Sequence, residues 1–522
     1  LKTQPAGRGS FDVKVLGTTD ASTLTITQVR PRFHVANNLM SIDNLIIRSG
    51  QIGGILASPV ELNGAMTPLS SSVGTLEFGA LGPGAQIDVK GSVSTMDVGS
   101  VNLGPGGHVV ITGDVNGSFQ SLSPSSSTTT AMTIATMNLD GGQFVIGPDS
   151  LESISIAGDL SLSHNGLLAI GAQTGTLSVG GSVIIDSGGQ VSVGHNLAAL
   201  TVGRNVLVDP GASGIVVGGD LDAMNVGGYF RGQGSATAID LGVGLNLNSL
   251  TVEGGGTSTS PGGIQWANIN VGKIISNLDV SYGIFRSWVT AGLSIGSSTG
   301  STTVTVGADG VTAIYNSEID AGTSITNLIV GGDVVSDFPT NPKATGYPTR
   351  IIAGKIRGSE IGSTPGQGVY LPNGSISNLT INGALIDAVL AASVAPFGGN
   401  GRLPSSPPAY GVPPLTFISG PPPAGPSNYQ APAGVTANTT STANYSIRNV
   451  ISVNGTAVAY NGDAAWWAQP DKRHDTVLSN GTITATITGG VVSTQTDQTA
   501  DTYDYAGLFA VYPFGVLPSQ SG

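Results

Sequence analysis

A short apolar pattern recurs between residues 151 and 252 at nearly constant intervals, and this repeat constrains the fold more than any other feature. Its first position is an aliphatic residue or methionine, and another apolar residue follows two positions later. Successive first positions are 23, 23, 24 and 26 residues apart. These anchor residues are Ile154, Leu177, Leu200, Met224 and Leu250. Repeats of this length are typical of solenoids, propellers and arrays.

Each repeat contains three short apolar runs, which predicts three β-strands. Apolar residues alternate before each glycine, as at Val191 and Val193 before Gly194, and again after the turn, as at Val183 and Ile185. A propeller blade needs about 40 residues for four strands, and leucine-rich repeats need an Asn or Cys ladder. The repeat therefore predicts the coil of a parallel β-helix, with alternate side chains in the bore. We expect the glycines at corners that need positive φ or close backbone approach.

The turn after the anchor strand carries a short polar residue at the same place in successive repeats: Asp159, Ser182 and Asn205. Side chains of this type hydrogen-bond their own backbone in turns. We therefore expect these three residues to stabilise the turns of their own coils.

Composition agrees with a narrow, stacked bore and excludes several classes of protein. The chain has 522 residues, a mean hydropathy of +0.20, 10% charged and 5% aromatic residues, and no cysteine. It is too apolar to be disordered, and no apolar run is long enough to span a membrane. The net charge of −13 argues against nucleic acid or anionic lipid as a partner. The absence of cysteine excludes disulfides and thiolate metal sites.

Changes in pattern divide the chain into four predicted segments. Residues 1–40 do not obey the repeat and are expected to form an N-terminal cap or small β-module. Residues 41–394 are predicted to form the β-solenoid, with 20 to 28 residues in each coil. Residues 395–434 form a proline-rich linker or arm, and residues 435–522 a C-terminal antiparallel β-module.

Further anchor pairs are expected outside the clear repeat. The interval between Met96 and Met137 is 41 residues, and we expect it to contain one additional coil. The pairs are Leu45 with Ile47, Leu76 with Phe78, Met96 with Val98, Met137 with Leu139, Leu278 with Val280, Val304 with Val306, Leu328 with Val330, and Leu379 with Ile381.

The C-terminal segment contains three hairpin signals and an apolar tail. The turns are expected at Asn454-Gly455, Asn480-Gly481 and Gly489-Gly490, between alternating runs, which favours hairpins. The tail from Tyr505 to Leu517 is the most aromatic piece of the chain, and it either closes its own sheet or completes a partner's sheet by strand addition. The candidate assembly interface is Tyr505, Leu508, Phe509, Val511, Tyr512 and Phe514.

Aromatic residues are expected on the longer loops of the later coils. Trp266 and Trp288, with Tyr282 and Phe285, fall in these intervals. Such residues are often local packing, but they are also the usual anchors of an interface. Trp266 and Trp288 are therefore the candidate loop contacts with a glycan or a protein.

No residue pattern predicts catalysis, a cofactor or a metal. Carbohydrate-active β-helices gather carboxylates with Arg or Lys on one outer strand face, because acid/base work on a sugar needs paired carboxylates. Asp220 with Asp222, and Glu318 with Asp320, are two-apart pairs on one strand face, and no basic neighbour in register is identifiable for either. A turn role is favoured for Asp220. The chain is therefore predicted not to be an enzyme.

The repeats at 177–183, 200–206 and 328–334 resemble the Gly-rich β-helix repeats of secreted bacterial surface proteins, such as adhesins of the filamentous-haemagglutinin and autotransporter type. This resemblance implies an extracellular, elongated protein at the cell surface. It carries over no functional residues.

Three functions remain open on the sequence. The first is a structural protein that polymerises with itself into a filament, sheath or surface layer, end to end or by strand addition. The second is an adhesin that binds a glycan or host protein. The third is a polysaccharide lyase or hydrolase, with Asp220 and Asp222 as its candidates.

Overall fold

The computed structural model is all-β, and it contains no helix among the residues that it describes. The described residues are 2–5, 11–27, 39–91, 93–112, 131–147, 151–171, 174–234, 238–254, 262–297, 300–305, 307, 310–336, 349–356, 369–370, 374–386, 388–392, 449–453, 456–460, 476–479, 482–488 and 491–492.

The chain divides into two compact units, which are described separately. The first unit is Leu1–Gly227 with Asp240–Gly244, and the second is Gly228–Ile239 with Leu245–Gly522. Strands of the first unit are Lys2–Pro5 (β1), Phe11–Val15 (β2), Thr23–Thr25 (β3), Met40–Ile47 (β4), Gly54–Leu62 (β5), Val73–Leu81 (β6), Gln86–Val89 (β7), Val93–Leu103 (β8), His108–Ile111 (β9), Ala131–Asp140 (β10), Gln143–Ile146 (β11), Leu151–Ile156 (β12), Leu160–Ser163 (β13), Leu167–Ile170 (β14), Thr174–Val179 (β15), Val183–Ile185 (β16), Gln190–Val193 (β17), Leu197–Val202 (β18), Val206–Val208 (β19), Gly214–Val217 (β20), Leu221–Val226 (β21) and Leu241–Val243 (β23).

Strands of the second unit are shorter on average. They are Phe230–Arg231 (β22), Leu250–Val252 (β24), Ile264–Gln265 (β25), Asn268–Val271 (β26), Ile274–Ile275 (β27), Leu278–Val280 (β28), Ile284–Phe285 (β29), Trp288–Ala291 (β30), Ser294–Ile295 (β31), Thr302–Val304 (β32), Thr312–Tyr315 (β33), Glu318–Ala321 (β34), Ser324–Thr326 (β35), Leu328–Val330 (β36), Asp333–Val335 (β37), Arg350–Ala353 (β38), Lys355–Ile356 (β39), Val369–Tyr370 (β40), Ser375–Ile381 (β41), Leu385–Ile386 (β42), Val389–Ala392 (β43), Asn449–Val453 (β44), Thr456–Tyr460 (β45), Thr476–Ser479 (β46), Thr482–Ile487 (β47) and Val491–Val492 (β48).

The first unit is a parallel β-helix with three strands per coil, as the repeat predicts. The anchor residues pair directly along the stack, Ile154 with Leu177, Leu177 with Leu200, and Leu200 with Met224. The other two faces are equally regular, with β13 pairing β16 and β14 pairing β17 in parallel. The sequence repeat is therefore the structural coil.

The bore of the first unit is filled by aliphatic side chains. The four anchors from Ile154 to Met224 are at most 1% exposed. Because strand side chains alternate, every second residue of a strand faces this bore. Burying a Val, Leu or Ile side chain contributes roughly 1.5 to 3 kcal/mol, so each coil is stabilised mainly by its own few aliphatic residues.

Two of the expected anchors lie on other faces of the coil. Leu76 pairs with Met96, as expected, but Met96 pairs with Met132 rather than with an intervening coil. Met137 instead pairs with Val101 on the next face, because β10 is a long strand that continues around a corner. The predicted additional coil is therefore wrong. Leu45 also belongs to another face, since it bridges to Met66.

Parallel stacking begins before the predicted boundary at residue 41. Strand β2 pairs with β4 in parallel, and Leu24 of β3 pairs with Ile55 of β5 in the anchor column. Only β1 departs from this pattern, since it pairs antiparallel with β2. Among the described residues of the 1–40 segment, β1 is thus the part that resembles a cap.

Glycines at one corner are required by close backbone approach. A Cβ added at Gly203 would lie 2.3 Å from the carbonyl oxygen of Gly180, and one added at Gly180 would lie 2.3 Å from that of Ala157. Neither glycine has a positive φ. Stacked coils therefore touch backbone to backbone at this corner, where any larger residue would force the coils apart.

Polar turn residues bond the next coil rather than their own. Asp159 Oδ1 accepts from the backbone N–H of Ser182 at 2.7 Å, and Asn196 Oδ1 accepts from that of Asp220 at 2.9 Å. In the second unit, Asp333 Oδ1 accepts from the N–H of Ala384 at 2.7 Å. The expectation that Asp159 bonds its own turn is wrong. These side chains satisfy corner N–H groups that the strand ladders leave unpaired.

The second unit repeats the same parallel stacking with less regular coils. Leu250 pairs with Leu278, which confirms both anchors. The anchor pair of the next coil is Thr302 with Val304, because Val304 pairs with Val280 and Val330. The expected pair of Val304 with Val306 was therefore two residues out of register, and Val306 lies outside the described residues.

The segment from 435 to 522 contains both a hairpin and a further coil. Strands β44 and β45 form the antiparallel hairpin expected at Asn454-Gly455. Strands β46, β47 and β48 instead pair in parallel with β43, β41 and β42. The hairpins predicted at Asn480-Gly481 and Gly489-Gly490 are wrong. Gly489 and Gly490 lie between Ile487 and Val491, which are four residues apart, like Val179 and Val183 on either side of Gly180-Gly181.

Candidate functional site

One corner of the second unit carries large exposed side chains. It follows strands β25, β29 and β33, which stack so that Gln265, Phe285 and Tyr315 are in register. The residues that come next along the chain are Trp266 and Arg286, and then an asparagine at position 316. Because each of these residues occupies the same place in its coil, they form a column along the stack.

The backbone of this column is in the left-handed region. The φ angles are 54° at Trp266, 48° at Arg286 and 45° at Asn316. Asparagine adopts this conformation readily, but it is uncommon for other residues with a Cβ and costs roughly 1 to 2 kcal/mol. Such strain persists only where the surroundings fix the backbone, and it is concentrated at functional sites.

A ladder of buried hydroxyl groups fixes the corner. The N–H of Ala267 donates to Ser287 Oγ at 3.1 Å, and the N–H of Ser287 donates to Ser317 Oγ at 3.1 Å. Each hydroxyl in turn donates to a carbonyl two residues earlier, Ser287 to Phe285 and Ser317 to Tyr315, both at 2.7 Å. The ladder thus holds successive coils in the same turn.

The side chains of the column form a cation–π cluster. The Cζ atom of Arg286 lies 4.6 Å from the ring centre of Trp266 and 5.9 Å from that of Tyr315. Trp266 is 41% exposed, and Phe285 and Tyr315 are partly exposed. Among the described residues no carboxylate forms an ion pair with Arg286. We call Trp266, Phe285, Arg286 and Tyr315 the aromatic strip.

Comparisons with known proteins identify no relative. No family model, curated protein or solved structure matches this chain. The site must therefore be interpreted from its own chemistry.

The two tryptophans predicted as loop contacts differ in position. Trp266 is exposed on the corner, and its backbone C=O accepts from the N–H of Gly234 at 2.7 Å. Trp288 lies within strand β30 and is only 7% exposed. The expectation of an exposed loop contact is therefore wrong for Trp288. The six residues of the predicted assembly interface, from Tyr505 to Phe514, lie outside the described residues.

A second polar cluster lies on the outward side of the neighbouring sheet. Glu318 pairs in register with Arg350, and Arg350 Nη1 donates to Glu318 Oε2 at 3.4 Å. The prediction that Glu318 and Asp320 have no basic neighbour in register is wrong. All three side chains are buried, Asp320 at 0% and Arg350 at 1% exposure. A polysaccharide cannot reach these carboxylates in this state, although their residue types suit acid/base chemistry on a sugar.

A sequence signal for Arg350 was present. The segments 288–292, 318–322 and 350–354 read Trp-Val-Thr-Ala-Gly, Glu-Ile-Asp-Ala-Gly and Arg-Ile-Ile-Ala-Gly. Their shared small residue and glycine mark the same corner of three successive coils. The match was missed because the last interval is longer than the expected 20 to 28 residues.

The other candidate carboxylates are at a corner of the first unit. Asp220 immediately precedes β21, where its backbone N–H is held by Asn196, and Asp222 is exposed on β21. This position agrees with the turn role favoured for Asp220. Asp222 is on an outward position of the strand, because Leu221 faces the bore.

One histidine of the first unit has a shifted pKa. His164 Nδ1 and Ser163 Oγ both bond Asp140 Oδ1, at 2.5 Å and 2.8 Å. The hydrogen bond to Asp140 raises the pKa of His164, and the same bond lowers the pKa of Asp140. Because Ser163 and His164 share one carboxylate oxygen, this is not the serine–histidine–aspartate relay of a hydrolase, in which histidine bonds the serine.

No group of three or more His, Cys, Asp or Glu side chains among the described residues is arranged to hold a metal ion. The same part of the chain has no helix of the length and apolarity needed to cross a membrane.

Proposed function

We propose that this protein is an extracellular structural protein of the cell surface, whose β-solenoid subunits assemble with one another into a filament, sheath or layer. The observation that carries the proposal is the edge of the last described coil. Strand β46 pairs with β43, and β48 pairs with β42. Among the described residues, no strand pairs with the other edge of either one, whereas β44 covers that edge of β47, the third strand of this coil.

An open strand edge is a template for another chain. Monomeric β-proteins usually blunt such edges with charges, prolines, bulges or a covering segment. Strands β46 and β48 contain no charged residue and no proline. A contact between this edge and a different surface of a second copy would be head to tail, and a head-to-tail contact that does not close propagates into an open fibre.

Sedimentation and electron microscopy of the full chain test the proposal. We expect species that grow with protein concentration, and rods or fibres in micrographs. Val491 continues the column of Val334 and Leu385, in which the Val334 N–H donates to the next coil. Val491→Pro therefore removes a backbone N–H from the free edge of β48 and should reduce growth, whereas Val491→Ala keeps the N–H and should assemble normally. A full chain that remains monomeric at every concentration would rule out the proposal.

The apolar tail is the second element of this proposal. Removing residues 505–522 should leave monomers if strand addition by the tail joins the subunits. Truncated protein that still assembles would exclude the tail and leave the coil edge as the contact.

An adhesin is the second candidate, and the exposed aromatic strip favours it. Tryptophan, tyrosine and arginine are the residues that most often dominate binding energy at interfaces. A glycan array probed with the full chain, compared with Trp266→Asn, tests this candidate. Binding that the substitution abolishes would support it.

The enzyme alternative has Asp220 and Asp222 as its accessible candidates, but Asp220 is at a turn, where its backbone N–H donates to Asn196 Oδ1. We therefore propose a non-catalytic role. Incubation with a panel of polysaccharides should release no oligosaccharide, and any release that is lost in Asp222→Asn would revive the alternative.

A further inference from the structure

We propose that the aromatic strip binds a polyproline helix, and that the proline-rich segment of a second copy of this chain supplies it. The identity of the donor rests on the proposed self-assembly. The strip provides the receptor geometry, and residues 404–426 provide a ligand of matching chemistry.

The spacing of the rings matches the repeat of a polyproline helix. Trp266 and Tyr315 belong to coils that are separated by one intervening coil, that of Phe285. Coils stack about 4.8 Å apart, so alternate coils are about 9.6 Å apart. A polyproline helix rises about 3.1 Å per residue with three residues per turn, so residues i and i+3 are about 9.3 Å apart on one edge. Two prolines at this spacing would each meet one ring.

Arg286 lies where the ligand needs donors. Its guanidinium is located between the two rings, at 4.6 Å and 5.9 Å from their centres. A polyproline helix has no internal hydrogen bonds, so its carbonyl oxygens remain available as acceptors. Arginine carries five N–H donors and no acceptor. Rings that contact prolines and a donor that contacts carbonyls are the elements of aromatic-lined polyproline grooves.

The chain contains a suitable ligand. Residues 404–426 include nine prolines, and the spacing i, i+3 occurs at Pro404 with Pro407 and at Pro423 with Pro426. The same residues include no charged side chain. An uncharged ligand is not repelled by a chain of net charge −13, whereas a uronate or phosphate polymer would be. The observations therefore favour a proline-rich peptide over an acidic glycan.

The test uses a fluorescent peptide of residues 403–428 and the full chain as receptor. Four prolines of the receptor (404, 407, 423 and 426) are replaced by alanine, so that its own segment does not compete. Fluorescence anisotropy should show saturable binding. A peptide with the same four prolines replaced by alanine should bind at least tenfold more weakly.

Trp266→Asn is the decisive receptor variant. Asparagine already occupies this column at Asn316, so the substitution removes the ring and keeps a residue that accepts positive φ. We expect peptide binding to weaken at least tenfold, and Arg286→Asn to weaken it several-fold. Leu293→Ala is the matched control, because Leu293 is exposed outside the strip, and it should bind like the parent receptor.

The outcomes separate this inference from the proposed function. No binding, or equal binding by the parent and Trp266→Asn, would overturn the inference, as would displacement of the peptide by a neutral oligosaccharide at equal concentration. If the full chain assembles and Trp266→Asn assembles equally well, self-assembly stands and the strip is not its contact. If the peptide binds but the full chain stays monomeric, the second copy is excluded as donor.

Discussion

The first and second units share one coil design, but they differ in how deeply the outward side chains of corresponding strands are buried. In the first unit, strands β14 and β17 alternate between buried residues that face the bore and partly exposed residues that face outward. In the second unit, all four residues of β30, β34 and β38 are buried. The outward positions of the second unit are therefore a second interior.

This difference explains where the large and charged residues occur. The outward residues of β17 are Gln190 and Ser192, which tolerate partial exposure. At the corresponding places the second unit has Trp288, Glu318 and Arg350. A buried charge is tolerated only when it is paired, so Glu318 and Arg350 occupy neighbouring coils in register. A regular solenoid needs only its bore, whereas the second unit also depends on contacts outside the bore.

Substitutions at the two tryptophans should give the largest difference in the free energy of unfolding. Trp288→Ala should lower the free energy of unfolding by about 3 to 5 kcal/mol, because it empties a buried site. Trp266→Asn should change it by less than about 1 kcal/mol, since relief of backbone strain offsets the lost contacts. Urea denaturation of both variants checks this. Equal losses would mean that the outward side of β30 is not an interior.

Breaking the buried ion pair should lower the free energy of unfolding by a similar amount. Arg350→Met leaves the Glu318 carboxylate buried beside an apolar side chain, which should destabilise the protein by about 3 to 5 kcal/mol. The double variant Glu318→Leu with Arg350→Met should recover most of the loss. Thermal unfolding of the single and double variants measures the recovery. A double variant as unstable as the single one would show that the pair is not the interaction lost.

A substitution at the glycine corner of the first unit, where neighbouring coils touch backbone to backbone, should destabilise the protein by a smaller amount. Gly203→Ala places a Cβ 2.3 Å from a carbonyl oxygen of the neighbouring coil, and such overpacking should cost about 1 to 3 kcal/mol. Gly54→Ala is the control, because its Cβ would be 3.6 Å from the nearest atom and its φ is not positive. It should be neutral or slightly stabilising. Denaturation midpoints that are equal for both variants would contradict the steric reason for the glycine column.

The exposed pair of His164 and Asp140 should have the smallest effect on stability, but the titration of His164 should be measurable. The raised pKa of His164 means that the pair contributes below the unfolded value of about 6.5 and is lost as pH rises through the folded pKa. The lowered pKa of Asp140 means that its contribution is lost as pH falls through the folded pKa of that carboxyl. NMR titration should place the His164 midpoint above the usual histidine value, and Asp140→Asn should bring it down.

The regular coils could be read from the sequence because local and long-range rules agree there. The anchors from Ile154 to Met224 alternate, recur at one period, and pair as predicted. Prediction failed where the period changed. Met137 and Val304 were placed on the wrong positions because a long strand and a two-residue shift leave the apolar alternation intact.

The aromatic strip could be predicted only in part. Trp266 was identified as exposed, because a large aromatic residue in a long interval is visible in the sequence. Its partner Arg286 and the left-handed corner were not, because positive φ at tryptophan and arginine has no sequence signature. The buried ladder of Ser287 and Ser317 that supports the corner has no sequence signature either, since serine is common throughout the chain.

The hydrogen bonds between neighbouring coils join residues as few as 19 and as many as 107 positions apart, yet the corners keep the same geometry. The length of chain between two corners is therefore free to vary while the register of the stack is preserved. Foreign peptides grafted into the longest of these intervals should leave the scaffold folded, which would make the protein a carrier for displaying epitopes or enzymes at a regular spacing.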